Sequence, residues 1–574
     1  MQESEASHDL AATKEAIGPE GPSPLAAYSL RTSDVIAVAL LAAAFILLSR
    51  WPLWYTDVWG HLKFGQWIVQ HRALPEREPF TPIANGQPCI HFYWLGQSSL
   101  YLLFSAGERL VGGDELHRLA GGVDLLATFF GLLNVLRCLL LLLAYRRASG
   151  SMPLACVGLV VALIVVSRVQ RPQVFGEVLF SALLLALSRP ILSRRALVLI
   201  PIALVLWANV HGSYAAGLAL LGLFFLGRVL AIAQTAASSR GLAVVQDPQV
   251  RRLFLTGLLS TLAVALFNPH GPQLFLYTLG FSQNPNIPSM EEWKPLDFSW
   301  GPGDHWVYGA TVVVVIVTQI LSPRVLSPTS LLLCFSFGLL PLWQRRMLLW
   351  WYVLVPWIVL PPWAELGRRF TWSWLHYRSQ ANGIKTLIAV LLVFLAVLLA
   401  PPVKWLRGGQ PRPLELSLSP GTPWKLAAQL RAPGDNTYYP ELAAALQHGY
   451  PKGRFQGRIF ASETQGDYLL WALPPEYPVL VYTHVHLFSP EHWHDCLTVL
   501  KAEPGWREIL NRHAVNLVVV EVEDHPQLTE ALQADADWRI VLDETDLQQK
   551  RDPRTRLLIA VRKKPLPVGV PELR

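Results

Sequence analysis

The chain has 574 residues, of which 52% are hydrophobic and only 16% charged, and its mean hydropathy is +0.32. A soluble protein carries about 25% charged residues, so a soluble class is excluded. The net charge of +7 sits in short loops between apolar runs, where it orients a membrane chain and is not a nucleic-acid footprint.

Residues 1–30 are polar and acid-rich with no apolar h-region, so residues 1–33 read as a disordered cytoplasmic tail and not as a cleavable signal. Apolar runs then recur at 34–50, 120–144, 152–167, 173–188, 195–209, 213–233, 253–267, 306–322, 328–342, 346–361 and 384–402. About eleven spans are expected, some short for a hydrocarbon layer of about 30 Å. The 22 Trp and 44 Pro suit this class, because Trp gathers at interfaces and Pro is tolerated in spans. The expected fold is a polytopic α-helical membrane protein, residues 34–402, followed by a C-terminal extracytoplasmic α/β domain, residues 403–574.

Loop charge decides the status of residues 94–106, "WLGQSSLYLLFSA". If they do not span, Arg146, Arg147, Arg189, Arg194, Arg195, Arg228, Arg240, Arg251, Arg252, Arg324, Arg368 and Arg369 all fall inside. If they do span, every later loop is inverted and the positive-inside rule fails. Residues 94–106 therefore read as interfacial, and 51–119 as one long outer loop. Two outer loops still carry arginine: Arg168 with Arg171, and Arg345 with Arg346. An arginine on that side could bind phosphate or snorkel to headgroups. Pro172 suits the first turn of a span, so a phosphate at Arg171 would also meet helix N-terminal amides.

Beyond residue 402 a Pro/Gly-rich linker leads into alternating elements. Strands are expected at 457–461, 478–483, 515–522, 538–543 and 557–562. Helices are expected at 424–432, 438–447, 465–472, 490–501 and 525–533. Cys138, Cys156 and Cys334 lie in apolar runs and read as buried small hydrophobes. Cys89 and Cys496 fall outside them and could pair, though nothing in the sequence sets their distance.

The chemistry centres on "WPLWYTDVWGHLKFGQWIVQ", residues 51–70. Asp57 and His61 are one turn apart and share a helix face. Val58, Leu62, Gly65 and Val69 make an adjoining apolar stripe, as on a helix lying on a membrane. A partly desolvated carboxylate there suits a general base. The pair could also ligate a divalent metal, or be an interfacial cap beside a Trp-belt histidine. Glu177 lies within a span and is a functional candidate by default, unless an arginine pairs with it. Asn209, His211, Asn268 and His270 sit at span ends, where caps are common. "YTHVHLFSPEHWHDC" places His484 and His486 near His492 and His494, a further metal candidate.

"TDVWGHLKFGQWIVQHRALPEREPFT", followed by "YWLGQSSLYLLF", resembles the first outer loop of a bacterial branch of the C-type (GT-C fold) integral-membrane glycosyltransferases. These are relatives of the protein mannosyltransferases and aminoarabinose transferases. The branch's Asp-x-Trp-Trp-His-Leu reads Asp57-Val58-Trp59-Gly60-His61-Leu62 here. "RPQVF" from Arg171, "WANVHG" from Trp207, "NPHG" from Asn268, "EEW" from Glu291 and the pair Arg345–Arg346 are similar to its later motifs. "GRIFASETQGDYLLWALPPEYPVLV" is similar to its outer domain. The chain departs from the branch at Gly60, where a second Trp is usual, and at His91, Phe92 and Tyr93, where acidic residues are often found.

The resemblance implies transfer of a sugar from a polyprenyl-phosphate donor to a glycan, lipid or protein acceptor on the outer face of a bacterial inner membrane. Asp57 would deprotonate or position the acceptor hydroxyl, with His61 beside it. Arg171, Arg345, Arg346 and Arg168 would hold the donor phosphate. Trp59, Lys63, His91, Tyr93, Glu177, Asn209, His211, His270 and Glu291 are further site candidates. A divalent cofactor is open, with Asp57, His61, His484 and His486 as its weak candidate ligands. Two other readings stand beside this one. A transporter or flippase of lipid-linked saccharides would need inverted repeats and broken midplane helices. An inactive relative would use its C-terminal domain to bind a partner.

Overall fold

The computed structural model describes residues 29–54, 57–81, 83–84, 87–90, 92–165, 170–235, 240–299, 303–372, 380–432, 437–543 and 557–567. Arg168 and His91 lie outside the described residues. A helix occupies each of the eleven apolar runs. Six are long and apolar enough to cross a bilayer: Thr32–Ser49, Glu115–Ser149, Tyr214–Thr235, Pro248–Phe267, Asp304–Leu321 and Arg345–Arg369. Five more, of 10–17 residues, are shorter. In hydrocarbon a helix is the one open-chain structure that pairs every backbone amide internally, so apolar runs of this length become helices. Local caps set their ends. Asp247 accepts from the Val250 amide at the start of one helix, and Ser327 from the Ser330 amide at the start of another, each followed by Pro at the first position.

The 35-residue helix Glu115–Ser149 is the hub of the molecule. It packs against Thr32–Ser49, Trp94–Val111, Met152–Val165, Gln173–Leu187 and Leu348–Arg369. At 1.5 Å per residue it is about 50 Å long, well beyond the hydrocarbon thickness. Its N-terminal end therefore reaches the C-terminal α/β segment. There Asp124, fully buried, meets Arg412 of the linker at 2.5 Å, and Glu115 meets Arg431.

The C-terminal segment contains a four-stranded sheet: β1 (Arg458–Ala461), β2 (Val515–Glu521), β3 (Trp538–Asp543) and β4 (Leu557–Arg562), in spatial order β1-β2-β4-β3. β1 pairs parallel with β2, and the other two pairings are antiparallel. β2 and β4 are buried on both faces, which is why they read as unbroken apolar runs. The stretch expected as a strand at 478–483 is extended and bridges β1 in parallel through Ile459 and Val479, without forming a longer strand. Helix Glu463–Ala472 connects β1 to it. Helix Trp506–Arg512 had no counterpart among the expected elements.

Two helices lie between these parts, Asp57–His71 and Trp94–Val111. The first does not lie with an open apolar stripe on a membrane. Val58, Trp59, Gly60, His61, Leu62, Phe64, Gly65 and Ile68 are all buried. Trp59 is fully enclosed by Phe104, Tyr468 and Trp471, with ring centroids 4.9–6.2 Å away. Gly65 permits close helix packing: a Cβ there would sit 2.2 Å from the Gln97 carbonyl oxygen. All five cysteines are free thiols.

Candidate functional site

The sheet decides where the site lies. In α/β sheets the crevice outside the carboxyl ends of parallel strands is the usual binding place. Here β1 ends at Ala461 and is followed by Glu463 and Thr464. The neighbouring extended stretch ends at Thr483 and is followed by His484, Val485 and His486. All six line a cavity of about 420 Å³. The opposite wall comes from the helical part: Asp57, His61, Tyr93, Arg171, Gln173, His211 and Arg346. A third wall is the loop that carries Phe281, Met290, Glu291, Glu292 and Trp293. Residues more than 400 positions apart thus share one polar chamber.

A chain of charges crosses it. Arg171 lies 3.0 Å from Asp57 and 2.7 Å from Glu292, and Arg346 lies 3.4 Å from Glu292. The Arg346 guanidinium also stacks 4.1 Å from the Trp293 ring. Burial works against the charge on Arg171, but Asp57 and Glu292 outweigh it and hold the guanidinium more strongly protonated than usual. Burial would raise Glu292, yet Arg346 and Arg171 pull its carboxyl down to about 2. Glu292 is therefore an anion wedged between two arginines.

His61 faces the same chamber. Its Nδ1 lies 3.1 Å from the Gln97 side-chain nitrogen, and its ring lies 5.0 Å from that of His484. Burial lowers its pKa to about 4, with Asp57 opposing the shift and Arg171 adding to it. The imidazole is thus neutral under ordinary conditions. The Tyr93 ring meets His61 edge-on at 5.3 Å and lies tilted to His211 at 5.2 Å.

A second cavity of about 680 Å³ adjoins the first. The two share Tyr93, Gln173, His211, Phe281, Trp293 and Arg346. The rest of its wall is mostly apolar, including Ala216, Leu223, Leu226, Phe337, Leu340 and Trp350, with Ser213, Thr278, Ser282, Ser336 and Gln344 among them. Arg346 stands at the junction of the polar and apolar chambers.

The other sequence candidates fall elsewhere. Arg345 turns to Glu291 (3.2 Å) and Asp304 (2.8 Å) and does not line either cavity. Glu291 lines the polar cavity but is largely exposed and also pairs with Lys294. Glu177 is buried against Arg137, so the arginine-pairing alternative describes it. Asn209 accepts from the Trp94 indole at 2.8 Å and from Asn268 at 3.2 Å, tying three helix ends together. The His270 amide donates to Asn268 and its ring packs edge-on to Tyr277. Lys63 lies over Phe80, outside the cavity lining, and Trp59 is core. His492 bonds the Leu480 carbonyl and His494 is exposed, so neither joins His484 and His486. Among the described residues no group of three His, Cys, Asp or Glu side chains is placed to hold a metal ion. The sequence reading passed over Glu292, Gln173, Glu463 and Asp467. Each lay inside a quoted motif, Glu292 in "EEW", Gln173 in "RPQVF", and Glu463 and Asp467 in "GRIFASETQGDYLLW", but no spacing singled it out.

The chain matches no family model and no curated protein. Among solved structures it is similar to crystal structures of the Archaeoglobus fulgidus oligosaccharyltransferase. The form tethered to an acceptor peptide with the NVT sequon has 12% identity and a TM-score of 0.49, over 85% of this chain and 69% of that one. The apo form has 13% identity and a TM-score of 0.49 over the same shares. The form in complex with Zn and sulfate has 13% identity and a TM-score of 0.43, over 85% and 68%. Likeness at this level does not establish a shared fold.

Proposed function

We propose that this chain is a membrane glycosyltransferase that moves a sugar from a polyprenyl-phosphate donor to a hydroxyl acceptor, on the outer face of a bacterial inner membrane. The observation that carries the reading is the join between the two cavities. An apolar chamber suited to a prenyl chain opens beside Arg346 and Arg171, in a polar chamber large enough for sugar and acceptor. A lipid phosphate needs that combination: a greasy channel, then two cations at its mouth. As the phosphate leaves the sugar its charge grows, and guanidinium groups in a site with little water stabilise that charge. Arg171 and Arg346 take this role, and Arg345 supports the loop through Glu291. Asp57, fixed by Arg171, accepts a hydrogen bond from the acceptor hydroxyl and orients it. His61, neutral, orders the same wall.

The test is transfer of radiolabelled sugar from a panel of polyprenyl-phosphate sugars in membranes that hold the wild type or Asp57→Asn. Transfer by the wild type and a loss of roughly 100-fold or more in the variant, at equal expression, is expected. Equal transfer in both would remove Asp57 from the mechanism. No transfer from any donor, with acceptors varied, would favour lipid-linked saccharide transport or partner binding.

A further inference from the structure

In the proposed transfer the donor phosphate lies between Arg171 and Arg346. The structure shows that place already taken. Glu292 bridges the two guanidinium groups, with one carboxylate oxygen 2.7 Å from Arg171 and the other 3.4 Å from Arg346. A phosphodiester presents the same pattern: a single negative charge shared by two unesterified oxygens. Glu292 therefore makes the contacts that the donor phosphate needs.

The two anions of this array are held differently. Asp57 opens a helix that is buried along most of its length, and its side chain is 16% exposed. Glu292 lies on the short turn Glu291–Trp293, and its side chain is 35% exposed. It borders open space into which it can swing. The backbone beyond it is fastened, because the Arg345 amide donates to the Lys294 carbonyl at 2.9 Å. The side chain can thus leave while the turn stays.

Neither arginine relies on Glu292 alone for its position. One terminal nitrogen of Arg171 donates to Asp57 at 3.0 Å, and the other also donates to Gln173 at 3.1 Å. Arg346 keeps its stack on Trp293 at 4.1 Å. With Glu292 swung out, two oriented guanidinium groups remain. Asp57 balances one of them, which leaves one positive charge for one phosphodiester. The arginines hold Glu292 ionised, with its carboxyl pulled down to about 2, so it competes as a full anion.

We propose that Glu292 is a built-in occupant of the phosphate place: the donor phosphodiester displaces it on binding, and its return expels the phosphate product. This rests on the transfer reading above. The acceptor oxygen forms its bond to the anomeric carbon, and its proton passes to water. The bond from that carbon to the phosphate oxygen breaks, and its electron pair stays with the phosphate. The product is a phosphate monoester, whose second ionisation lies at about pH 6. It carries more negative charge than the donor and grips the two arginines harder. A carboxylate that competes for both cations lowers that grip.

The experiment has two arms on the full chain in lipid nanodiscs, with wild type, Glu292→Gln and Glu291→Gln. The first measures binding of radiolabelled polyprenyl phosphate, with inorganic phosphate in parallel. Glu292→Gln keeps the shape and removes the charge, and is expected to bind the lipid roughly 10-fold tighter. Glu291→Gln removes an equal charge from the same cavity, where solvent screens it, and is expected to change the affinity less than about 3-fold. Unchanged or weaker binding by Glu292→Gln, or an equal gain in both variants, would overturn the displacement. Inorganic phosphate bound as tightly as the lipid would overturn a lipid phosphate as the occupant. The second arm measures transfer. Glu292→Gln is expected to keep the single-turnover rate within about 3-fold, to lower the steady-state kcat roughly 5-fold or more, and to show a burst in the first turnover. A single-turnover rate that falls together with kcat would overturn the expulsion role. No transfer by the wild type alongside tighter lipid binding by Glu292→Gln would overturn the transfer reading and the expulsion role, while the displacement would stand. If Glu292→Gln does not fold, Glu292→Ala replaces it in both arms.

Discussion

His61 shows how much one buried residue can link this molecule to pH. Free histidine titrates near 6.5, and burial lowers the folded value to about 4. The folded state thus binds its proton less readily than the unfolded one. The stability gained from a neutral His61 is complete above about pH 6.5 and is lost as pH falls from there towards 4. The full loss is about 3 kcal/mol, from 1.36 kcal/mol per pH unit. Thermal unfolding of wild type and His61→Gln between pH 7.5 and 4.5 checks this. The wild type should lose more stability across that window than the variant, and parallel curves would refute a neutral buried imidazole. Glu292 behaves differently, because it is paired to two guanidinium groups and stays charged. Glu292 at about 2 remains an anion across the whole working range, so acid does not free the two arginines. A phosphate must share or displace it.

At the scale of elements, the packing of Asp57–His71 on Trp94–Val111 sets the position of both Asp57 and His61. The contact is close because Gly65 faces the Gln97 backbone, and Gln97 in turn holds His61. Gly65→Ala would place a methyl 2.2 Å from a carbonyl oxygen that cannot swing away. It is expected to destabilise the protein by about 1–3 kcal/mol. It should also lower transfer, measured beside the unfolding temperature. Full stability and activity in this variant would show that the two helices separate freely. The loop from 281 to 293 is a second such element. Asn286 donates to the Val485 and Phe488 carbonyls at 2.8 and 3.0 Å, which fastens the loop to the segment that carries His484 and His486.

For the whole molecule, the issue is how the C-terminal α/β segment is held over the helices. Trp59, Phe104, Tyr468 and Trp471 form an aromatic joint on one side. On the other side Arg412 binds Asp124 and the Arg50 carbonyl. Arg412→Ala would leave the buried Asp124 carboxylate without its cation, with only the residue 412 amide still donating to it, at a cost of about 3 kcal/mol. Limited proteolysis within the linker should then speed up, and unchanged cleavage would show that the aromatic joint suffices. Because the cavity is split between the two parts, this variant is also expected to weaken transfer although it touches no lining residue.

The sequence by itself determined where the long apolar helices are. A bilayer leaves no choice for a long apolar run but to satisfy its amides internally, and cap residues then set the ends. It also determined the strands β1 to β4, whose apolar runs are buried whichever partner they find. It brought Asp57, His61 and Arg171 into view through their spacing and their place beside apolar runs. It could not decide which of Arg345 and Arg346 turns inward, since both sit on one short 3₁₀ turn and only the opposing Glu291 and Glu292 select between them. Nor could it pair Asp467 with Gly60, which lie 407 positions apart. Helical and strand periodicities describe which face of an element is apolar, not which distant element covers it. Only the tertiary structure, by docking the carboxyl ends of two parallel stretches onto the Asp57 helix, decided which side chains share the chamber.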